Sequence, residues 1–289
     1  MSTAGACQSS YGHWYSGRNA DERERLDLFA EVFDAGTIPV LAGLGIQPGW
    51  CCADVGGGRG SIAAWIARRA YAGSTIVADL DPTLRPASVP SAVTYVRFDA
   101  TKDELPPGAF DLVHSRFLLQ HLSTREEVLD RLVCALAPGG WLVVGDGFEL
   151  ATGSAAHPDF AASRRALYAL LSSRSSTDHT WGRAYPDPLV RRGLTDICCS
   201  LFAPPLHGGD NPYSRMLQIS LQRLRTTLVP DDLQGLVIDS VLERLRDPEF
   251  HDFDLALVTA CGRKPGPPAA QRSGREQVGE AGLRRPVQL

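Results

Sequence analysis

The chain has 289 residues, 44% of them hydrophobic and 21% charged, with a formal net charge of −4. That composition supports a full apolar core and excludes disorder of the whole chain. The charge offers no global basic field to nucleic acid or acidic membranes, and no run of about 20 apolar residues is present to span a bilayer.

The first 20 residues are polar and small, with Tyr11, Trp14 and Tyr15 among them. Residues 1–25 lack an apolar stretch behind a basic start, so no signal peptide is expected and a cytoplasmic location follows. In that compartment the seven cysteines, which form no C-x-x-C clip, are expected to be reduced and mostly buried thiols, with no metal site. Residues 21–33 predict an amphipathic helix. Leu26, Phe29, Ala30 and Phe33 recur at helical spacing, while Glu22, Arg23, Glu24 and Arg25 face water. Residues 37–44 predict a second helix, with Thr37 as N-cap and Pro39 in its first turn. A turn covers 45–49.

From Trp50 onward strands and helices alternate. Strands are predicted at 50–55, 74–80, 94–98, 110–114 and 141–146. Helices are predicted at 61–71 and 125–136, the latter stopped by Pro138, Gly139 and Gly140. Such alternation implies a parallel sheet with crossover connections. Beyond Leu150 the rhythm is lost: helices are predicted at 159–173, 187–192, 215–224 and 232–246, and strands at 196–202 and 253–261. From Lys264 the chain is rich in Pro, Gly, Arg and Gln and is expected to be a disordered tail.

The densest chemical signal is Asp54, Val55, Gly56, Gly57, Gly58, Arg59, Gly60, directly after a strand and before a helix. Glycines let the backbone turn sharply and let a ligand approach closely, and the helix N-terminus behind them favours a negative group. A dinucleotide loop wants G-x-G-x-x-G, but the third glycine position here is Ser61. Asp79 ends the second strand, where a carboxylate can accept both hydroxyls of a ribose. Asp81 is its rival but precedes Pro82 and starts the next turn. Asp99, after the third strand, is placed to accept from an adenine amino group. His114 follows Leu112 and Val113 within a strand and reads as a satisfied core histidine.

Taken in order, the Asp54 loop, Asp79, Asp99, the Phe110-Asp111-Leu112-Val113-His114 strand and Leu136-Ala137-Pro138-Gly139-Gly140-Trp141 resemble the motifs of class I S-adenosylmethionine-dependent methyltransferases, over roughly residues 26–146. Segments 114–122 and 141–146 look most like small-molecule methyltransferases of bacterial secondary metabolism. The resemblance implies a Rossmann-like, doubly wound, mostly parallel seven-stranded α/β sheet, with N-terminal helices and a helical lid inserted between strands five and six. The expected division is an N-terminal helical lid (1–45), a cofactor-binding core (46–150), a lid insertion with the last strands (151–263) and the tail (264–289).

The resemblance also implies roles. Gly56, Gly58 and Gly60 would contact the methionine end of S-adenosylmethionine, and Asp54 would orient the loop or the cofactor's ammonium group. Asp79 would hold the ribose, Leu80 would pack on adenine, and Asp99 and Ala100 would meet the adenine edge. Ser115 would face the cofactor's amino group and the substrate. His121 is the first candidate base. By analogy with phosphoethanolamine methyltransferases, which this segment resembles, Tyr15 or Tyr11 would close over the pocket and pair with it. Asp146, ending strand five, would point to the same rim. His157, His179, Trp181, Arg183, Tyr185 and Met216 are pocket candidates from the lid, with the Trp181-Gly182-Arg183 segment foremost.

The expected acceptor is a small molecule methylated on O, N or C, in natural-product biosynthesis. Neither a nucleic-acid partner nor a membrane is expected, and an apolar N-terminal helix pair would serve a homodimer. A non-methylating relative that uses the cofactor in another reaction, such as a cyclisation, keeps the same motifs. A protein or RNA methyltransferase would want a basic groove or an added binding domain.

Overall fold

The computed structural model describes residues 20–150, 155–228 and 232–266. Tyr15 and Tyr11 lie outside the described residues, as does the tail from residue 267. A single helix α1 (Ala20–Gly43) opens the described chain, where two had been expected. Gly36 and Pro39 suggest a break, but packing carries the helix through it. A Cβ at Gly36 would stand 2.7 Å from the Phe202 ring, so the glycine lets α1 lie directly against the sheet. Thr37 is fully buried inside the helix, and its hydroxyl accepts from Arg116 rather than capping a new one.

The alternating region gives β1 (Cys51–Val55), α2 (Ser61–Arg69), β2 (Ser74–Asp79), β3 (Val93–Arg97), β4 (Phe110–Arg116), α3 (Arg125–Ala135) and β5 (Leu136–Glu149). Then follow α4 (Pro158–Arg174), α5 (Asp187–Arg191), β6 (Thr195–Phe202), β7 (Leu206–His207), α6 (Pro212–Leu228), α7 (Asp232–Arg246), β8 (His251–Asp252) and β9 (Leu255–Arg263). The main sheet has seven strands in the order β3-β2-β1-β4-β5-β9-β6. β3, β2, β1, β4 and β5 run parallel, and β9 is antiparallel to both β5 and β6. This is the Rossmann-like doubly wound sheet. Pro138 and Gly139 do not end in a free turn: Phe110 pairs with Leu136 and Leu112 with Trp141, so the intervening residues bulge within β5.

Strand alternation divides the apolar side chains between two faces. Leu112, Val143 and Cys261 pack with α1 and α2 through Leu41, Ile62 and Ile66. Val113, Leu142, Val144 and Ala260 pack on the other face with α3 and α5 through Val128, Leu129 and Leu189. A further core joins α1, α4, α6 and α7 through Phe33, Phe160, Leu217, Leu221, Val241 and Leu245. The helical addition is therefore split. Helix α4 lies between β5 and β6, and α6 and α7 follow β6 and precede β9, in the order of the predicted helices and strands.

Two other expectations are corrected. Cys198 on β6 and Cys261 on β9 form a disulfide, since their residues are paired across the two antiparallel strands. Of the remaining described cysteines, only Cys52 is buried, while Cys134 and Cys199 are exposed. The fold also runs past Arg263. The Lys264 ammonium donates to the carbonyls of Val133 and Leu136 at 3.1 and 2.8 Å, capping the end of α3.

Candidate active site

The strand order reverses between β1 and β4, and a cavity of about 1220 Å³ opens at their carboxyl ends. Its floor is the glycine loop. Gly56, Gly58 and Gly60 all take positive φ, at 69°, 53° and 72°. A Cβ at Gly57 would meet the Asp54 carboxylate at 2.7 Å, and one at Gly56 would press on Leu118 at 3.2 Å. The loop thus has no room for side chains on its packed side, and its backbone faces the cavity.

Asp79 fixes the loop. One carboxylate oxygen accepts the Gly58 N–H at 2.9 Å and the other accepts the Asp81 N–H at 3.0 Å. Burial nevertheless pushes this carboxyl above the usual carboxylate range, against those two amides. Leu80, beside it, is 45% exposed and lines the cavity, a bare apolar surface at the site's edge. Asp81 caps the following turn by accepting from the Thr83 N–H and hydroxyl. Asp99 and Ala100 line the same end. Partial burial lifts the Asp99 carboxyl, but hydrogen bonds from Thr101 and Lys102 outweigh it and hold the group below its ordinary value.

Asp54 also lines the cavity and is almost fully buried. The His114 Nδ1–H donates to it at 2.7 Å, and His114 Nε2 has no partner among the described residues. His114 is therefore only half satisfied by the protein, and it is a wall of the cavity rather than a core residue. Its neighbour Ser115 is not among the cavity-lining residues. Asp54 pairs in register with His114, and Val55 with Ser115, so alternation sends Asp54, His114 and Arg116 to the α1 face and Ser115 to the α3 face. Asp146 is turned away for the same reason. It is buried, outside the cavity, and accepts the Tyr185 hydroxyl at 2.7 Å and the Gln120 N–H at 3.2 Å. Burial pushes its carboxyl up to about 7. It is a strut behind the wall.

His121 lines the cavity but is not placed as a base. The Gly147 N–H donates to Gln120 Oε1 at 2.6 Å, which orients the Gln120 amide to donate to His121 Nε2 at 3.1 Å. The remaining proton sits on Nδ1, which meets the Thr177 hydroxyl at 3.0 Å. Burial, with the Arg25 and Arg125 charges, keeps the ring far below ordinary histidine basicity. Both nitrogens are thus engaged by the protein.

Of the lid candidates, His179 and Met216 line the cavity, whereas His157, Trp181, Arg183 and Tyr185 do not. Trp181 and Tyr185 instead pack behind the wall, where the Trp181 indole N–H donates to the Tyr185 hydroxyl at 3.3 Å. Several lining residues carry little sequence signal. Arg25 and Glu22, expected in water, are buried: Arg25 donates twice to Glu22 at 2.9 and 2.7 Å, and Arg223 of α6 donates to the same carboxylate at 2.7 Å. Arg164 of α4 donates to both oxygens of Asp254 at 2.6 and 2.8 Å and to Tyr168. The Glu22 and Arg25 spacing of three residues could have suggested a pair, but its burial depends on α6, far along the chain. Among the described residues no cluster has the makings of a metal site, and no helix is long and apolar enough to cross a membrane.

Comparison with known proteins follows this geometry. The family described as "Methyltransferase domain" matches residues 53–144, from β1 into β5. A methyltransferase of Strobilurus tenacellus is 35% identical over 130 residues, covering 43% of this chain and 45% of that protein. An uncharacterised methyltransferase of Mycobacterium tuberculosis is 36% identical over 111 residues, covering 37% and 54%. The chain thus spans about half the length of the curated relatives it matches. Among solved structures, phosphoethanolamine N-methyltransferase 2 of Haemonchus contortus, in complex with phosphomonomethylethanolamine and S-adenosylhomocysteine, superposes with a TM-score of 0.55 at 18% identity, covering 86% of this chain and 58% of that one. Residues 53–144, on a seven-stranded Rossmann-like sheet, match a methyltransferase domain.

Proposed function

We propose that the protein transfers the methyl group of S-adenosylmethionine to an O, N or C atom of a small molecule, in the biosynthesis of a natural product. The observation that carries this reading is the joining of two unlike ends in one cavity. The glycine loop, Asp79, Leu80 and Asp99 form one end, and side chains of α1, α4 and α6 form the other. Its 1220 Å³ exceeds the roughly 300–1,000 Å³ of a typical single-ligand pocket, so it has space for a nucleoside cofactor and a second molecule.

The residues present fit the cofactor. The glycine backbone gives a close approach for its amino-acid end. Asp79 is a carboxylate at the tip of β2, where ribose hydroxyls would be held. Leu80 offers an apolar face and Asp99 an acceptor for the base. His114 Nε2, beside Asp54 on the floor, has no partner among the described residues. When bound, S-adenosylmethionine supplies a methyl group on a positively charged sulfur, already a good leaving group.

What remains for the protein is alignment and exclusion of water. The apolar walls of α1 and α6 exclude water, and the Phe29, Phe33 and Phe117 rings, with centroids 4.6 to 5.0 Å apart, close the space between α1 and β4. Asp146 acts one step back: through Gln120 it holds His121 in one orientation. We assign no general base to His121, whose nitrogens are both engaged.

The test is thermal denaturation with S-adenosylhomocysteine, beside NAD and NADP. A rise in Tm with S-adenosylhomocysteine alone supports the reading. Incubation with S-adenosylmethionine and candidate acceptors should then yield a product heavier by one methylene in mass spectrometry. Stabilisation by NAD instead would overturn the assignment.

A further inference from the structure

The helical end of the cavity, mostly outside the matched residues 53–144, has a chemistry of its own. The two guanidiniums that line it are each held by a carboxylate. Arg25 is held by both oxygens of Glu22, and Arg164 by both oxygens of Asp254. To bind Arg164, a phosphate or carboxylate would have to take the guanidinium from buried Asp254, leaving that carboxylate uncompensated. The surrounding surface is apolar, formed by Phe29, Phe117, Leu171, Met216, Leu217 and Leu221.

One polar group at this end differs from the rest. His179 lines the cavity, its ring packs at 4.4 Å against Tyr168, and both ring nitrogens are shielded from water without a hydrogen-bond partner among the described residues. Such a group is costly to leave unsatisfied. Burial and the Arg164 charge lower its pKa to about 4, so the ring is neutral at physiological pH. A neutral imidazole offers one donor and one acceptor. The Cβ–Cγ torsion is soft, so the ring can turn to present a nitrogen to a bound group.

We propose that His179 anchors a hydroxyl group of the acceptor, and that the acceptor is an uncharged, mainly apolar, hydroxylated molecule. A hydroxyl both donates and accepts, as the imidazole does. Arg164 is committed to Asp254 rather than to an entering anion, and the aromatic and aliphatic walls take the body of the molecule. The proposal deepens the methyltransferase reading and rests on it for the word acceptor, but the binding chemistry can be tested by itself.

The experiment titrates the full chain, saturated with S-adenosylhomocysteine, against 2-naphthol, naphthalene and 2-naphthyl phosphate by calorimetry. The expected order places 2-naphthol first, about five- to tenfold tighter than naphthalene, the size of one hydrogen bond. The phosphate is the weakest. His179→Phe, which keeps a flat ring of similar size, should remove the preference for naphthol over naphthalene. His179→Gln keeps a donor and an acceptor and should retain most of it. Neither change should alter affinity for S-adenosylhomocysteine, measured separately. Equal binding of all three probes, tighter binding of the phosphate, no binding of 2-naphthol, or an undiminished preference in His179→Phe overturns the proposal. If S-adenosylhomocysteine fails to bind while the titrations, run without it, keep their order and their His179 dependence, the methyltransferase reading falls and the hydroxyl site stands.

Discussion

Asp79 joins two tasks in one side chain. Its oxygens organise the glycine loop by accepting the Gly58 and Asp81 amides, and the same carboxylate faces the cavity where ribose hydroxyls would sit. Asp79→Ala should therefore weaken S-adenosylhomocysteine binding by about 1.5–3 kcal/mol, the range for a charge-assisted hydrogen bond. It should also lower stability, because two amides lose their acceptor. Calorimetry and denaturant unfolding separate the two effects, and an unchanged affinity would remove the ribose role. Asp146 makes a second residue-level prediction. Its folded pKa of about 7 stands above the unfolded value of about 4. The folded state then binds more protons between those values, so this group's contribution to stability falls as pH rises from about 4 to about 7, and levels off beyond. The full span is on the order of 2–4 kcal/mol. In Asp146→Asn the slope of unfolding free energy against pH should flatten across that window. An unchanged slope in the variant would place the titration elsewhere.

At the scale of elements, α1 is the piece whose role differs most from its sequence pattern. The 3.6-residue periodicity finds its apolar face, but the same periodicity assigns Glu22 and Arg25 to solvent. They are buried because α6 supplies Arg223 and the cover, and α6 lies about 200 residues away in the chain. Glu22 thus joins α1 to α6, and Asp34 joins α1 to the loop and β4 by accepting from Ser61 and Arg116 at 3.2 and 2.7 Å. Glu22→Ala would remove the buried carboxylate shared by Arg25 and Arg223 and should cost about 3–5 kcal/mol. Chemical denaturation measures this. A loss under 1 kcal/mol, the range of exposed pairs, would show that water reaches the pair. The first three parallel strands, by contrast, are legible to within one residue at each end, whereas β4 runs on to Arg116 and β5 spans Leu136–Glu149 rather than 141–146. What sequence does not supply is register. Ser115 and Asp146 have the right composition and stand at the right ends of their strands, yet alternation turns both to the face opposite Asp54 and His114. The Cys198–Cys261 bridge is missed on the same ground, because it depends on how β6 pairs with β9.

At the scale of the whole molecule, the cavity is built where two cores meet. The sheet and its crossover helices carry the glycine loop, while α1, α4, α6 and α7 share a separate apolar core through Phe33, Phe160, Leu217 and Val241. The first half of α1 belongs to both sides. Leu26 is the nearest neighbour of a Cβ placed on Gly58, at 3.8 Å, and Leu26, Phe29 and Ala30 line the cavity. A cofactor bound on the loop would therefore also touch α1 and restrain the helical layer against the sheet. By linkage, S-adenosylhomocysteine at 100 times its Kd adds about 2.7 kcal/mol to the stability of whatever must open to release it. Hydrogen exchange reads where that stabilisation falls. Amides of residues 56–61 and of residues 22–30 should slow together on adding S-adenosylhomocysteine. Those of α7, which does not line the cavity, should slow less. NAD at the same concentration should change none of them. Protection confined to 56–61 would show that α1 is not a wall of the bound state, and the cavity would then be divided between two independently opening layers rather than closed by one.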